Sequence, residues 1–168
     1  LLASARGDYP GAVAELDAVV TAADALGDPW MLAEAALALA RVVGVQQEQP
    51  APGLLWGRLA EMWLARSDDE MQRIRLANNL AGIHYARGAY DEAQAAFRRA
   101  LASAERVVGP DHPLLADLLN NLGAVQTMLD DPDAAGASLA RALALVTGAR
   151  GPDHPDRLEI LINLGNLS

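Results

Sequence analysis

The chain has 168 residues, of which 52% are hydrophobic but only 4% aromatic, and its formal net charge at pH 7 is -9. That charge repels phosphate backbones and anionic lipid surfaces, so the composition argues against nucleic acid and membranes as main partners. Without cysteine there is neither a disulfide nor a thiolate metal site, and no apolar run approaches the roughly 20 residues that span a bilayer, so we expect a soluble acidic protein of the cytoplasm.

The first predicted helix lies at about 9–26, where apolar residues recur at the spacing of one helix face. It is followed by Gly27, Asp28 and Pro29. Glycine ends a helix, aspartate caps the next one, and proline fits the first turn because it has no N–H to leave unpaired. These three residues therefore predict a second helix at about 29–44.

The next segment, 45–53, contains two prolines and three glutamines and predicts an inserted turn. A further helix fits 54–66. Ser67 and Glu70 then have the spacing of a capping box, in which each side chain bonds to a backbone N–H of the other residue. This pair predicts the start of the following helix.

A period of 42 residues organises the rest of the chain. The motif GPDHP occurs at 109–113 and again at 151–155, and an asparagine-leucine pair recurs at the same spacing. Within one period, two apolar stripes of helical spacing are separated by Gly88, which can close a helix in the left-handed conformation. Each period therefore predicts two antiparallel helices, with repeats at 68–109 and 110–151 and the start of another at 152–168.

The Asp111-His112 and Asp153-His154 pairs inside GPDHP admit a metal-binding, a catalytic or a structural interpretation. A metal site needs three or four converging ligands, whereas each copy offers one histidine with one or two carboxylates. A connector between two helices explains every residue of the motif. The glycine ends one helix, the first proline prevents its continuation, an Asp or His side chain caps the next helix, and the second proline fits its first turn. We therefore predict connectors without metal or cofactor. Since no catalytic motif occurs elsewhere, we expect no enzymatic activity in this chain.

The unit LANNLAGIHYARGAYDEAQAAFRRALASAERVVGPDHP resembles a tetratricopeptide repeat of the long, 42-residue type, similar to those of kinesin light chains and many bacterial proteins. Leu80 and Ala81 match the paired large and small positions of the first helix, and Gly88 and Tyr90 match the turn. The residues that match the second helix are Ala93, Phe97 and Ala100. The following unit departs from the pattern at Asp130, Pro132 and Leu139.

This resemblance implies an all-α, right-handed α-solenoid of antiparallel helix pairs, with about four hairpins and incomplete ends. The chain is then a single domain at 1–168, in which 1–28 is a partial repeat and 29–67 a degenerate one. The whole chain is also similar to the helical tails that follow the kinase domain in some bacterial Ser/Thr kinases. We expect it to be part of a longer protein. We also expect pairing of copies through a terminus, where partly exposed leucines lie at Leu161, Leu164 and Leu167.

Asparagines recur on the predicted first helices, which the resemblance places on the concave face. An amide both donates and accepts, so a row of asparagines can hold the backbone of an extended peptide whatever its sequence. Equally, each asparagine can bond to the neighbouring repeat and fix the stacking angle, and the sequence leaves both roles open for Asn79, Asn121 and Asn163. The predicted groove comprises Asn78, Asn79, Asn120, Asn121, Asn163 and Asn166, with Arg75, Tyr85, Arg87, Gln126 and Thr127 as neighbours.

The predicted function is protein-protein interaction, in which the groove binds an extended or helical segment of another protein or of the parent chain. The kinase-tail resemblance implies a scaffolding or regulatory role within a bacterial signalling protein. The alternative is a segment of a transcription regulator that senses a small ligand or associates with itself.

Overall fold

The computed structural model describes residues 8–65 and 68–167, and within them the chain is helical apart from short turns, with no strand. The all-α class predicted from the sequence is confirmed. None of the helices in these two stretches combines the length and apolarity that a bilayer crossing requires. The helices are α1 (Tyr9–Leu26), α2 (Pro29–Arg41), α3 (Pro50–Leu64), α4 (Glu70–Ala86), α5 (Tyr90–Val108), α6 (Leu115–Met128), α7 (Pro132–Arg150) and α8 (Asp156–Gly165).

The chain divides into two compact units, Leu1–Ala89 and Tyr90–Ser168. In the predicted repeats, α2, α4, α6 and α8 are first helices, whereas α1, α3, α5 and α7 are second helices. The domain boundaries proposed from the 42-residue period remain a prediction. The residues before 8, together with Ser67, lie outside the described part of the chain.

The start of the first unit follows the local sequence closely. The Asp8 carboxylate accepts from the Gly11 backbone N–H at 2.9 Å and caps α1, whose last turn is closed by Gly27 at a φ of 64°. Asp28 then accepts from the backbone N–H groups of Trp30 and Met31 and caps α2. The glycine-aspartate-proline signal therefore has the predicted effect.

The connection between α2 and α3 is shorter than the predicted inserted turn at 45–53. After Arg41 the chain forms a π-helical turn, Val42–Gln46, and α3 already begins at Pro50. Proline starts this helix because its fixed φ and missing N–H suit a first turn. The backbones on either side of the turn touch, since a Cβ on Gly53 would lie 2.3 Å from the Gly44 Cα.

The helix α4 begins differently from the predicted capping box. Its cap is Asp69, whose carboxylate accepts from the Gln72 backbone N–H at 3.0 Å. One core cluster of this unit joins α2, α3 and α4 through Ala33, Ala36, Leu37, Ala60, Leu64 and Leu76. A second joins α1 to α2 and the π-helical turn through Ala12, Leu16, Leu39, Val42 and Val43.

In the second unit, α6 and α7 form a tight hairpin because Gly123 lets the helices approach each other. A Cβ on Gly123 would meet the Leu139 side chain at 2.6 Å, and Leu139 is fully buried. The turn between the helices passes through Asp130 at a φ of 58°, and Asp131 caps α7 by accepting from the Ala134 backbone N–H. Helix α8 packs against α7 and α6 through Ile160.

Candidate functional site

The two GPDHP segments are connectors between helices. Gly109 and Gly151 have φ values of 87° and 88° and follow the last residues of α5 and α7. His112 Nδ1 accepts from the Leu114 backbone N–H at 3.1 Å, and His154 Nδ1 accepts from the Asp156 backbone N–H at 3.3 Å. Each histidine thus accepts a backbone hydrogen bond at the start of the helix that follows it, α6 or α8. Over residues 8–65 and 68–167, no group of three His, Cys, Asp or Glu side chains is placed to hold a metal ion.

In the first unit, Asn79 bonds to the preceding first helix. Its Nδ2 donates to the backbone oxygen of Leu37 at 3.1 Å, and Asn79 is only 8% exposed. Leu37 lies one 42-residue period before Asn79, so the bond joins equivalent positions of α2 and α4. This is the geometry expected of a residue that fixes the stacking of repeats. Arg75, also on α4, forms an ion pair with Glu34 of α2 at 3.0 Å.

In the second unit, asparagines of α6 and α8 join into a side-chain network. Asn163 Nδ2 donates to Asn120 Oδ1 at 2.9 Å, and Asn120 Nδ2 donates to Glu159 Oε1 at 3.0 Å. Asn120 is buried, whereas Asn163 is half-buried. The amides therefore bond to one another and to a carboxylate, and they link the two first helices.

A pocket of about 210 Å³ opens beside this network, and it carries three carboxylates. Asp117 comes from the first turn of α6, whereas Asp156 and Glu159 come from the first turn of α8. The Arg150 guanidinium donates to Asp156 Oδ2, so one positive charge offsets part of the negative charge. The pocket is lined by Ala116, Asp117, Asn120, Val146, Asp156, Glu159 and Ile160.

The electrostatics of the pocket disfavour a further negative charge. Desolvation of the Asp117 carboxyl raises its pKa above the ordinary value, and Asp156 raises it further. Arg150 lowers the pKa of Asp117, and Glu159 raises it by a smaller amount. Asp117 as a whole residue is exposed, but it lines the pocket, and its carboxyl is partly shielded from solvent. Crowded carboxylates of this kind attract a cationic group, which relieves their mutual repulsion.

Other residues of the predicted groove lie apart from this pocket. Gln126 is buried, and its amide reaches Ser138 Oγ of α7 at 2.7 Å, so it belongs to the α6–α7 hairpin. With its nitrogen turned towards α7, the same amide also reaches the backbone oxygen of Ala134 at 3.1 Å. Thr127 Oγ1 donates to the Gly123 backbone oxygen at 3.0 Å within its own helix. Both residues were predicted to be neighbours of the groove, and helical spacing does not distinguish such a neighbour from a hairpin contact.

The remaining predicted residues are distributed over both units. Tyr85 and Arg87 lie exposed at the end of α4, and Asn166 is exposed at the end of α8. Asn78 and Asn121 are half-buried on α4 and α6. The structure therefore brings together Asn120 and Asn163 in the second unit, and Arg75 and Asn79 on α4 in the first.

The carboxylates of the pocket were missed from the sequence because acidic residues in a first helical turn usually interact with the helix dipole and solvent. A signal was nevertheless present. Asp117 and Glu159 are separated by one 42-residue period, so an acid recurs at one position of successive first helices. Comparing the repeats position by position, rather than the motifs alone, would have identified this pair.

Comparisons with known proteins agree with this architecture. Residues 72–146 match the sequence model of the tetratricopeptide repeat family. The crystal structure of BtubC (BKLC) from P. vanneervenii is similar over 99% of this chain and 67% of that chain, with a TM-score of 0.81 and 25% sequence identity. No curated protein matches the sequence. Residues 72–146 are therefore similar to tetratricopeptide repeats, and the fold belongs to the all-α solenoid class.

Proposed function

We propose that the chain is a protein-binding module whose second unit holds a basic residue of an extended segment in the pocket between α6 and α8. Tetratricopeptide repeats generally mediate protein-protein interaction, which gives the class of function. The pocket supplies the preference, because Asp117, Asp156 and Glu159 lie around a small opening with Arg150 as a counter-charge. This crowding of carboxylates is the observation that carries the proposal.

The neighbouring amides suit the backbone of the same segment. Asn120 lines the pocket and accepts from Asn163, and an asparagine amide can bond to a peptide N–H or C=O group. A guanidinium is favoured over an ammonium because its planar donors can bond to a carboxylate in a bidentate manner. The proposed ligand is thus an extended segment with an arginine in its centre.

We further propose that the segment belongs to a signalling protein, or to the parent chain itself, and that the module scaffolds or regulates a bacterial Ser/Thr kinase in the cytoplasm. This part rests on the sequence alone, whose helical pattern resembles the tails of such kinases. Sequencing the parent gene tests this part separately. If the protein that contains these residues has no kinase domain, the kinase role is wrong and the binding module remains.

Calorimetry with matched peptides tests the binding proposal. Two peptides of equal length, with either arginine or glutamate at the centre, are titrated into the protein at low salt. We expect heat of binding with the arginine peptide only, and an affinity that falls as salt screens the charges. The double variant Asp117→Asn, Glu159→Gln should weaken binding at least about tenfold, since truncating charge pairs at an interface has effects of this size.

The matched control is Asp133→Asn, which removes an exposed carboxylate from the first turn of α7, outside the pocket. We expect it to leave the affinity unchanged. Equal affinity for the arginine and glutamate peptides would contradict the proposal. The alternative role as a ligand-sensing segment of a transcription regulator predicts another outcome, namely heat with a small guanidinium compound and none with either peptide.

A further inference from the structure

An apolar stripe lies on the outer face of α3, in the first unit. Leu55, Leu59 and Met62 are spaced by four and three residues, so they share one face of the helix. Leu55 is 60% exposed and Met62 57% exposed, whereas Leu59 between them is half-buried. We call these three residues the α3 stripe. The opposite face of α3 is the one buried in the unit, through Gly53, Gly57, Ala60 and Leu64.

The other second helices carry small residues where the α3 stripe carries large ones. The buried faces of α3 and α7 have the same spacing, and α1 and α5 follow it, so the helices can be aligned. The positions that match Leu55 and Met62 are all exposed. The residues that match Leu55 are Ala14, Ala95 and Ala137. Those that match Met62 are Thr21, Ala102 and Ala144.

This difference needs a cause outside the unit, because the repeat does not require large side chains at these positions. Two large apolar side chains more than half exposed on one helix face are a common mark of an interaction surface. The charges beside the stripe indicate what covers it. Arg58 and Glu61 are both exposed and follow the same flank of α3. In the described part of the chain, neither of them forms an ion pair.

A second copy of the chain fits this surface. Two α3 helices can pack antiparallel, stripe against stripe, about a twofold axis. The flank with Arg58 and Glu61 on one helix then faces the same flank on the other. Leu55 then lies against the partner's Met62, Leu59 lies beside the axis, and Arg58 lies near the partner's Glu61. The surface is therefore complementary to itself in both shape and charge, as a twofold interface requires. In a parallel pair the charged flanks would lie on opposite sides and would not meet.

We infer that the chain forms an antiparallel twofold dimer through the α3 stripe. One helix face buries less area than the roughly 800 Å² per partner of a standard stable interface, so the dimer is weak and exchanges rapidly. It forms at high local concentration, such as that of chains tethered to one assembly. The surface is separate from the pocket between α6 and α8, so the dimer does not depend on the proposed peptide binding.

Sedimentation equilibrium from about 1 μM to about 1 mM, the range suited to weak association, measures the dimer. We expect a reversible monomer-dimer equilibrium in the unmodified chain. Leu55→Glu or Met62→Glu should weaken the association at least about tenfold, because each places an unpaired charge in the contact. Leu26→Glu is the matched control, since Leu26 is 75% exposed and lies outside the stripe. It should have no effect.

Two charge variants test the antiparallel arrangement. Arg58→Glu and Glu61→Arg alone should each weaken the dimer several-fold, about the effect of an exposed ion pair turned into a repulsion. Mixing the two variants should restore association, because the glutamate introduced in one chain then faces the arginine introduced in the other. A monomer at every concentration would overturn the inference. So would association that survives Leu55→Glu and is lost in Leu161→Glu, since that result would place the contact at α8.

Discussion

The first helices of the two units use equivalent asparagines in different ways. In the first unit, Asn79 is buried and donates to the backbone of α2. In the second, Asn163 lies two periods later, is half-buried and donates to the side chain of Asn120, which in turn bonds to Glu159. A backbone acceptor fixes the distance between helices, whereas a side-chain network beside a pocket can rearrange around a ligand. The repeat position thus sets the location of an amide, and its neighbours decide which atom it bonds to.

The hairpins of the two units also differ in the atoms that make their closest contact. Between α2 and α3 the backbones of Gly44 and Gly53 touch, whereas between α6 and α7 the close contact is between Gly123 and the Leu139 side chain. A backbone contact cannot be relieved by a rotamer change, but a side-chain contact can be relieved in part. Gly53 should therefore tolerate an added side chain less well than Gly123.

Glycine-to-alanine substitutions should give the largest difference between the units. Gly53→Ala should lower the free energy of unfolding by about 3 kcal/mol, because the new Cβ overlaps the Gly44 backbone. Gly123→Ala should cost about 1 to 2 kcal/mol, since the Leu139 side chain can yield. Urea unfolding monitored by tryptophan fluorescence and circular dichroism measures both values.

Gly148→Ala is the control for these two variants. Gly148 is exposed inside α7, and nothing lies within 4 Å of a Cβ added there. Alanine should therefore stabilise the chain by up to about 1 kcal/mol through its better helix propensity. Equal effects of Gly53→Ala and Gly148→Ala would show that the contact between Gly44 and Gly53 does not hold the hairpin.

Removing the amides of Asn79 and Asn163 should separate the stabilising role from the proposed binding role. Asn79→Ala should lower the free energy of unfolding by about 1 to 2 kcal/mol, because a buried hydrogen bond between helices is lost. Asn163→Ala should cost less than about 1 kcal/mol, since water can reach its partner in the pocket. The same urea titrations measure both losses. A larger loss from Asn163→Ala would reverse the roles assigned to the two residues.

Asp117→Asn should raise the stability of the chain at neutral pH. The pKa of Asp117 is raised in the folded state, so the unfolded chain loses this proton more readily and the ionised carboxylate costs stability at neutral pH. As the pH falls through the folded-state pKa, the native carboxyl binds its proton and the cost disappears. The difference between the variant and the unmodified chain should therefore shrink on acidification.

Thermal unfolding at pH 7 and at about pH 3, below the ordinary pKa of aspartate, measures this difference. Asp133→Asn serves again as the control, because it removes a carboxylate outside the pocket. An advantage of Asp117→Asn that stays constant between the two pH values would mean that the gain comes from something other than the titration of Asp117.

Local signals account for the parts of the fold that were predicted well. Gly27, Asp28 and Pro29 fix the end of α1 and the start of α2, because left-handed glycine, a capping carboxylate and a first-turn proline act within a few residues. The π-helical turn after Arg41 was not predicted. It accompanies the contact between Gly44 and Gly53, which joins two helices and leaves no periodic trace in the sequence.

The candidate site shows the same limit. The 42-residue period located the asparagines on first helices, but it did not distinguish an amide that bonds to the backbone, such as Asn79, from one that bonds to another side chain, such as Asn163. That distinction depends on which atom the side chain reaches, Leu37 O in one case and Asn120 Oδ1 in the other. Gln126 stays a predicted neighbour of the groove, and the structure adds a hydrogen bond to Ser138 on the second helix of its own hairpin.

The smallest expected effect concerns the turn that closes a first helix in each unit. Gly88 and Asp130 are one period apart, and both have a positive φ, 75° and 58°. A residue with a Cβ lowers the free energy of unfolding by about 1 kcal/mol in this conformation, although aspartate tolerates it better than most residues. Asp130→Gly should therefore stabilise the chain by a few tenths of a kcal/mol to about 1 kcal/mol, whereas Gly88→Ala should cost about 1 kcal/mol. Thermal unfolding resolves the opposite signs, and a loss of stability in Asp130→Gly would mean that the aspartate side chain itself holds the turn before α7.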